Sequence, residues 1–179
     1  TEGLLNEFKR SIKGEIRLGE ELRQHTSLKI GGPADIWVEP SDDRDLKKVL
    51  LFVKSNKIPA FVIGNGTNLL ACDSGFKGIL VHLGSPYFKH LKVKGTRICV
   101  GAGFSLPRLV SLCCDNGLRG LESLVGIPGT VGGAIYMNAG GSTSPMYKNI
   151  GDIVTSLKVM DYKGRIRKLD RKDIIFGYR

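Results

Sequence analysis

The stretch GLESLVGIPGTVGGAIYMNAGG, residues 120–141, holds seven glycines and one proline among Leu121, Leu124, Val125, Ile127, Val131, Ala134 and Ile135. A solvated loop carries more charge than this. A core helix or strand avoids glycine, whose backbone freedom is lost on folding. The composition suits a main chain that something flat approaches directly. Thr130, Ala134 and Ala139 are small, the aliphatics supply a dry wall, and peptide N–H groups can reach polar ring edges. A tight packing seam between lobes is the alternative reading of the same glycines.

A second glycine-rich stretch, VIGNGTNLLA at residues 62–71, follows the short apolar run AFVIG. Bare peptide groups there can converge on an anion, with Thr67 and Asn68 as neutral donors. On this segment alone, Asn65-Gly66 reads first as the turn of a hairpin. Two common nucleotide motifs are excluded. Position 69 is Leu where the dinucleotide fingerprint needs a third glycine, and no GK[ST] of a P-loop follows. Taken together, the two segments favour a large, flat, diphosphate-bearing cofactor spanning two lobes, a description that FAD fits.

Around these segments, strand and helix signals alternate. ADIWVEP reads as a strand, with Trp37 in the core. SDDRDLKKVLLFVKSNKIP reads as a helix with Ser41 as its cap, acids in its first turn and Leu46, Val49, Leu50 and Val53 on one face. AFVIG and GILVHL are expected to be buried strands. HLKVKGTRICVGAG predicts a hairpin turning near Lys94-Gly95, and SLPRLVSLCCDNGLRG a helix from Ser105 to Asn116-Gly117. SLKVMDYKGRIRKLD predicts a second hairpin at Lys163-Gly164. The expected division is a helical segment over 1–24, one lobe over 25–87 and another over 88–179, with the boundary between 84 and 92.

The 179 residues, 41% hydrophobic and 25% charged, suffice for one full domain or two small lobes. No run reaches the length of a membrane span and the N-terminus has no signal-peptide core, so the expectation is a cytoplasmic protein with no membrane partner. The four cysteines show no CxxC pair and no histidine ligands, so no metal is expected. Adjacent Cys113 and Cys114 read as buried free thiols. The net charge of +10 suggests an anionic partner or a plain solvated surface. Nucleic acid is not expected, because aromatics are only 7% and scattered. His25, His82 and His90 lack an acid–base pattern, and His82, alternating in a strand, reads as a surface or a satisfied structural histidine. Asp73 and Asp152 read as turn residues or cofactor-region contacts.

HTSLKIGGPADIWVEP, VIGNGTNLLACDSGFKGILVHL, VGAGFSLPRLVSLCCDNGLRGLESLVGIPGTVGGAIYMNAGG and DIIFGYR, in that order, resemble the UDP-N-acetylenolpyruvoylglucosamine reductase family, in its shorter subtype. The resemblance runs from about residue 25 to the last residue. It implies an α+β, two-subdomain FAD-binding module of the vanillyl-alcohol-oxidase type, with FAD bound non-covalently. By motif position, Gly64, Asn65, Gly66, Thr67, Asn68 and Leu69 are the implied diphosphate loop. Gly126, Ile127, Pro128, Gly129, Thr130, Gly132, Gly133 and Ala134 are the implied segment along cofactor and flavin, continued by Asn138 and Ala139. Thr26 falls in the family's flavin-side motif. Arg179 of the GYR motif is the implied catalytic arginine, able to hold a carboxylate and steady enolate charge. A frayed terminal arginine is its bland reading, and Tyr178 reads as packing.

The family's chemistry is reduction of the enolpyruvyl ether of UDP-N-acetylglucosamine to UDP-N-acetylmuramate for peptidoglycan, with NADPH as co-substrate. Its members continue for about a hundred residues with a substrate domain, a proton-donating serine and a glutamate. The expectation is therefore an FAD module incomplete for turnover alone. The competing readings are another flavin-dependent oxidase of the same fold, with Cys72 as a covalent handle, and a non-catalytic basic binding module.

Overall fold

The computed structural model describes residues 2–141 and 147–177. The chain divides into two compact units: Thr1–Phe88 with Met160–Ile166, and Lys89–Val159 with Arg167–Arg179.

The first unit is built on a four-stranded sheet in the order β1-β2-β4-β3, from β1 (Glu15–Glu21), β2 (Pro33–Glu39), β3 (Ala60–Ile63) and β4 (Phe76–His82). β1 runs antiparallel to β2, whereas β2–β4 and β3–β4 are parallel. Alternation of side chains sorts the two central strands onto two faces. Ile36, Val38, Ile79 and Val81 face helices α1 (Glu2–Ser11) and α2 (Asp43–Ser55), where Phe8, Ile12, Val49 and Val53 complete one core. Trp37 and Leu80 face the other way and pack with Leu22, Ile63, Leu69 and Ala71. Val38, Val49, Ile79, Val81 and Trp37 are all completely or almost completely buried, each worth roughly 1.5–3 kcal/mol of transfer free energy.

Several expectations need correction here. The N-terminal segment is helical in α1 and in a single 3-10 turn at Leu22–Gln24, because the run Glu15–Glu21 between them is a strand that finds β2. α2 is capped by Asp42, whose carboxylate accepts from the N–H groups of Arg44 and Asp45, not by Ser41. Ser41 is instead drawn to buried Asp45, donating from both its N–H and its hydroxyl. β3 is an edge strand whose Phe61 and Val62 are exposed. Because β3 and β4 are parallel, residues 64–75 are a crossover loop, and the hairpin reading of Asn65-Gly66 is excluded.

The second unit holds the hairpin of β5 (Leu91–Lys94) and β6 (Arg97–Val100), then α3 (Leu106–Asp115) and the short α4 (Val131–Tyr136). α3 starts on Ser105, which accepts from Arg108 N–H, and stops at Asn116. Its core consists of Leu106, Leu109, Cys113, Leu121, Leu124, Val131, Ala134 and Ile150. Cys113 is buried as expected, but Cys114, one position round the helix, is exposed. Burial, and then the charge of Glu122, push the Cys113 thiol up. β7 (Ser156–Met160) and β8 (Ile166–Asp170) form the last two-stranded sheet. The turn of that hairpin counts with the first unit, and Gly164 there packs against the Lys47 side chain of α2.

Candidate cofactor site

In the first unit the crossover loop leaves β3 at Ile63 and returns toward β4. Gly66, at φ +60°, presses against the peptide between His25 and Thr26, and a Cβ there would run into the His25 carbonyl oxygen. Ser27 N–H donates to Gly66 carbonyl at 3.2 Å, tying the two segments together. Among the described residues, the N–H groups of Asn65, Gly66, Asn68 and Leu69 donate to nothing. Such a run of unspent donors on a glycine-bearing loop is a nest for an anion.

A cleft of about 270 Å³ opens beside it, lined by Gln24, His25, Thr26, Ser27, Lys29, Gly64, Asn65 and His82. Thr26 is buried, and its hydroxyl is engaged within its own turn, donating to Ile30 carbonyl at 2.8 Å and accepting from Ile30 N–H at 3.2 Å. Its role is thus to shape residues 26–30, which carry Lys29 to the cleft in a left-handed conformation.

Beneath the cleft, the His25 ring stacks on Trp37 at 4.0 Å between centroids, and His82 lies 5.1 Å from Trp37. Each histidine is held by a carboxylate: His25 Nε2 by Glu20 at 2.7 Å and His82 Nδ1 by Glu39 at 2.9 Å. Trp37 Nε1 donates to the same Glu39 oxygen at 3.2 Å. Arg17 reaches Glu15 and Glu20, and those bonds raise its pKa. Burial works against ionisation of Glu20, but hydrogen bonds from His25 and Arg17 outweigh it and hold the carboxyl below its usual range. Of the two readings of His82, surface or satisfied structural, the bond to Glu39 selects the second. The partner of His25 was missed, although Glu20 is five residues away, because a strand end and a turn separate them.

In the second unit, residues 126–139 form a loop and then α4. Thr130 caps this helix: it is buried, and its hydroxyl accepts from Gly133 N–H at 3.2 Å. Val131 N–H donates to Phe104 carbonyl, Gly132 N–H to Ala102 carbonyl and Ala134 N–H to Thr130 carbonyl. Gly132 lies so close to Ala102 that a Cβ would stand 2.9 Å from the Ala102 methyl carbon. The peptide donors of residues 131–134 are thus consumed within the fold, and Gly132 packs closely on Ala102 of its own unit. Those of Gly126, Gly129 and Thr130 donate to no described residue. Ile127 packs on the core while Pro128 is exposed. Ala139 is held on both sides, its N–H by Ala134 carbonyl and its carbonyl by Ile150 N–H.

An apolar groove of about 310 Å³ runs beside α4, lined by Ile135, Tyr136, Met137, Asn138, Leu157 and residues 174–177. Tyr136 and Ile175 stand 85% and 97% exposed, an unusual state for apolar side chains next to a groove. Asn138, beside this groove, bonds at each end within the unit, Nδ2 donating to Gly177 carbonyl and Oδ1 accepting from Gly151 N–H. Asp152 is a turn residue: N–H groups of Asn149 and Lys148 bind its carboxylate and lower its pKa. Tyr178 and Arg179 lie outside the described residues.

Comparison with known proteins follows these features along nearly the whole chain. The FAD binding domain family matches residues 34–170. The UDP-N-acetylenolpyruvoylglucosamine reductase of Desulforamulus reducens is 39% identical over 176 residues, 98% of this chain and 56% of that protein. The crystal structure of the corresponding reductase from Thermus caldophilus superposes with a TM-score of 0.76 at 34% identity, covering 94% of this chain and 56% of that one. A solvent-stable cholesterol oxidase shares the fold alone, with a TM-score of 0.73 at 18% identity over 94% of this chain and 35% of the oxidase. The chain spans about half the length of the curated relatives it matches. The fold is the expected α+β type of these flavoproteins.

Proposed function

This chain belongs to the FAD binding domain family, and from that premise we propose that it is the FAD-binding part of a UDP-N-acetylenolpyruvoylglucosamine reductase. The complete enzyme would use NADPH to reduce the enolpyruvyl ether of UDP-N-acetylglucosamine to UDP-N-acetylmuramate. The observation that carries the reading is the loop at residues 64–69. Gly66 is wedged onto the 25–26 peptide, and the N–H groups of Asn65, Gly66, Asn68 and Leu69 remain unspent.

Those donors fit a diphosphate, which offers acceptors and negative charge and no hydrogen to give. Gly64 and Asn65 line the cleft directly, and Lys29 adds a cation to it. Thr26 works indirectly, by holding the turn that carries Lys29. In the second unit the free N–H groups of Gly126, Gly129 and Thr130 are the donors for the cofactor's polar edges, with Ile127 and Pro128 as the apolar surface beside them. Gly132, Gly133 and Ala134 hold α4 and so fix where that surface lies. Residues 25–87 and 88–179 are the proposed first and second FAD-binding subdomains.

When bound, FAD supplies the hydride chemistry that no side chain can perform. The chain's own work is to bind, orient and keep the site dry. Arg179 is the proposed catalytic residue, a guanidinium suited to clasp the enolpyruvyl carboxylate in two parallel bonds.

The test is the visible spectrum of the purified chain before and after addition of FAD. Bound flavin with absorption peaks displaced from those of free FAD is expected, and NADPH should bleach it. Unchanged peaks and no retention on gel filtration would refute the reading. Flavin that stays attached after denaturation would mean a covalent link and favour an oxidase of the same fold.

A further inference from the structure

Asn138, just after α4, has a φ of +45°, in the left-handed region that asparagine tolerates better than other non-glycine residues. Its side chain bonds in two directions. Oδ1 accepts from Gly151 N–H at 3.1 Å, and Nδ2 donates to Gly177 carbonyl at 2.8 Å. The partners are 13 and 39 residues away, so one amide joins three separate segments. Its orientation is determined by them, since an N–H can only donate and a carbonyl only accept. The joint is tight: a Cβ on Gly151 would stand 2.7 Å from Asn138 Oδ1 and 2.6 Å from the Phe176 ring. Arg171 braces the same strip, with its guanidinium 5.2 Å from the Phe176 ring and donating to Ile174 carbonyl at 2.9 Å.

We infer that Asn138 is a positioning residue that acts on the reaction through the chain it holds. It pins the Gly177 carbonyl, and with it residues 174–177, which form one wall of the apolar groove. Arg179 follows two residues later. The inference rests on the reductase reading, in which Arg179 touches substrate. Aspartate at 138 would still accept from Gly151 but would set a carboxylate against the Gly177 carbonyl. Glycine would keep the left-handed backbone and delete both bonds.

The complete reductase containing this chain is compared with N138G, N138D, R179A and the N138G/R179A double variant. Hydrogen exchange of the peptide spanning 172–177 is followed alongside the two half-reactions. N138G and N138D are expected to keep their FAD and to be reduced by NADPH within twofold of wild type. Exchange in 172–177 should quicken at least tenfold, and flavin reoxidation by the enolpyruvyl substrate should slow at least tenfold. The double variant should be no slower than R179A. Unchanged exchange, or wild-type reoxidation in both Asn138 variants while R179A is slow, overturns the inference and leaves the reductase reading standing. An equal fall in FAD retention and both half-reactions also overturns it, since that marks a merely structural residue. Wild-type reoxidation by R179A itself would refute the reductase role of Arg179, and this inference with it.

Discussion

Replacing Asp45 by alanine removes an acceptor that four donors share. The N–H groups of Lys13, Gly14 and Ser41 and the Ser41 hydroxyl all converge on Oδ2, at 2.9, 2.7, 3.2 and 2.9 Å. The carboxylate is 1% exposed, and through these bonds α2 holds the α1–β1 connection and the turn after β2. Burial alone would favour the protonated acid, but the bonds from Lys13, Ser41 and Gly14 outweigh it and lower the pKa. Each orphaned N–H or hydroxyl costs about 1–3 kcal/mol where water cannot replace the acceptor. These donors are only partly buried, and removing the carboxylate also removes its desolvation penalty, so the net loss should be about 3–4 kcal/mol. Asparagine keeps an oxygen at the Oδ2 position but turns an NH2 toward the Lys48 ammonium, which stands 3.5 Å from Oδ1, for a loss of about 1–2 kcal/mol. Urea unfolding reports this directly through Trp37, the single tryptophan and fully buried in the same unit. Because the folded pKa lies below the unfolded one, the wild-type advantage over D45N is complete above the unfolded aspartate value of about 3.9 and fades as pH falls through the folded value. An alanine variant within 1 kcal/mol of wild type, or a gap over D45N that widens with acid, would refute the argument.

Gly66→Ala should weaken FAD binding at least tenfold in a fluorescence titration, because the new methyl collides with the His25 carbonyl at a positive φ. Thr130→Ala should cost about 1 kcal/mol in thermal unfolding, the usual worth of a side-chain cap, with Thr130→Ser restoring most of it. In a thiol-labelling time course at neutral pH, Cys72, Cys99 and Cys114 should react promptly. Cys113, buried and held protonated, should react only with unfolding.

The elements whose signals are local were legible in the chain. Ser105 at the head of α3, Asn116 at its end, the Gly95 and Gly164 turns and the apolar face of α2 all act over a few residues, where spacing is preserved by geometry. The two glycine-rich segments were legible for the same reason, and so was the resemblance they carry. Where two local rules competed, sequence reading chose wrongly. Ser41 and Asp42 both suit a cap, and only the pull of Asp45, itself buried by the fold, decides between them.

What tertiary structure alone decided are the partnerships between distant segments. Asn65-Gly66 reads first as a hairpin turn until β3 is seen to run parallel to β4. Nothing local pairs Asn138 with Gly151 and Gly177, 13 and 39 residues away, yet its amide bonds to both. Thr130 and Gly132, placed in the cofactor segment by motif, are largely occupied in holding α4. A sequence specifies which groups can donate, accept or bend. Which of them remain unspent depends on which chain segments meet, a matter of long-range closure that no short spacing encodes.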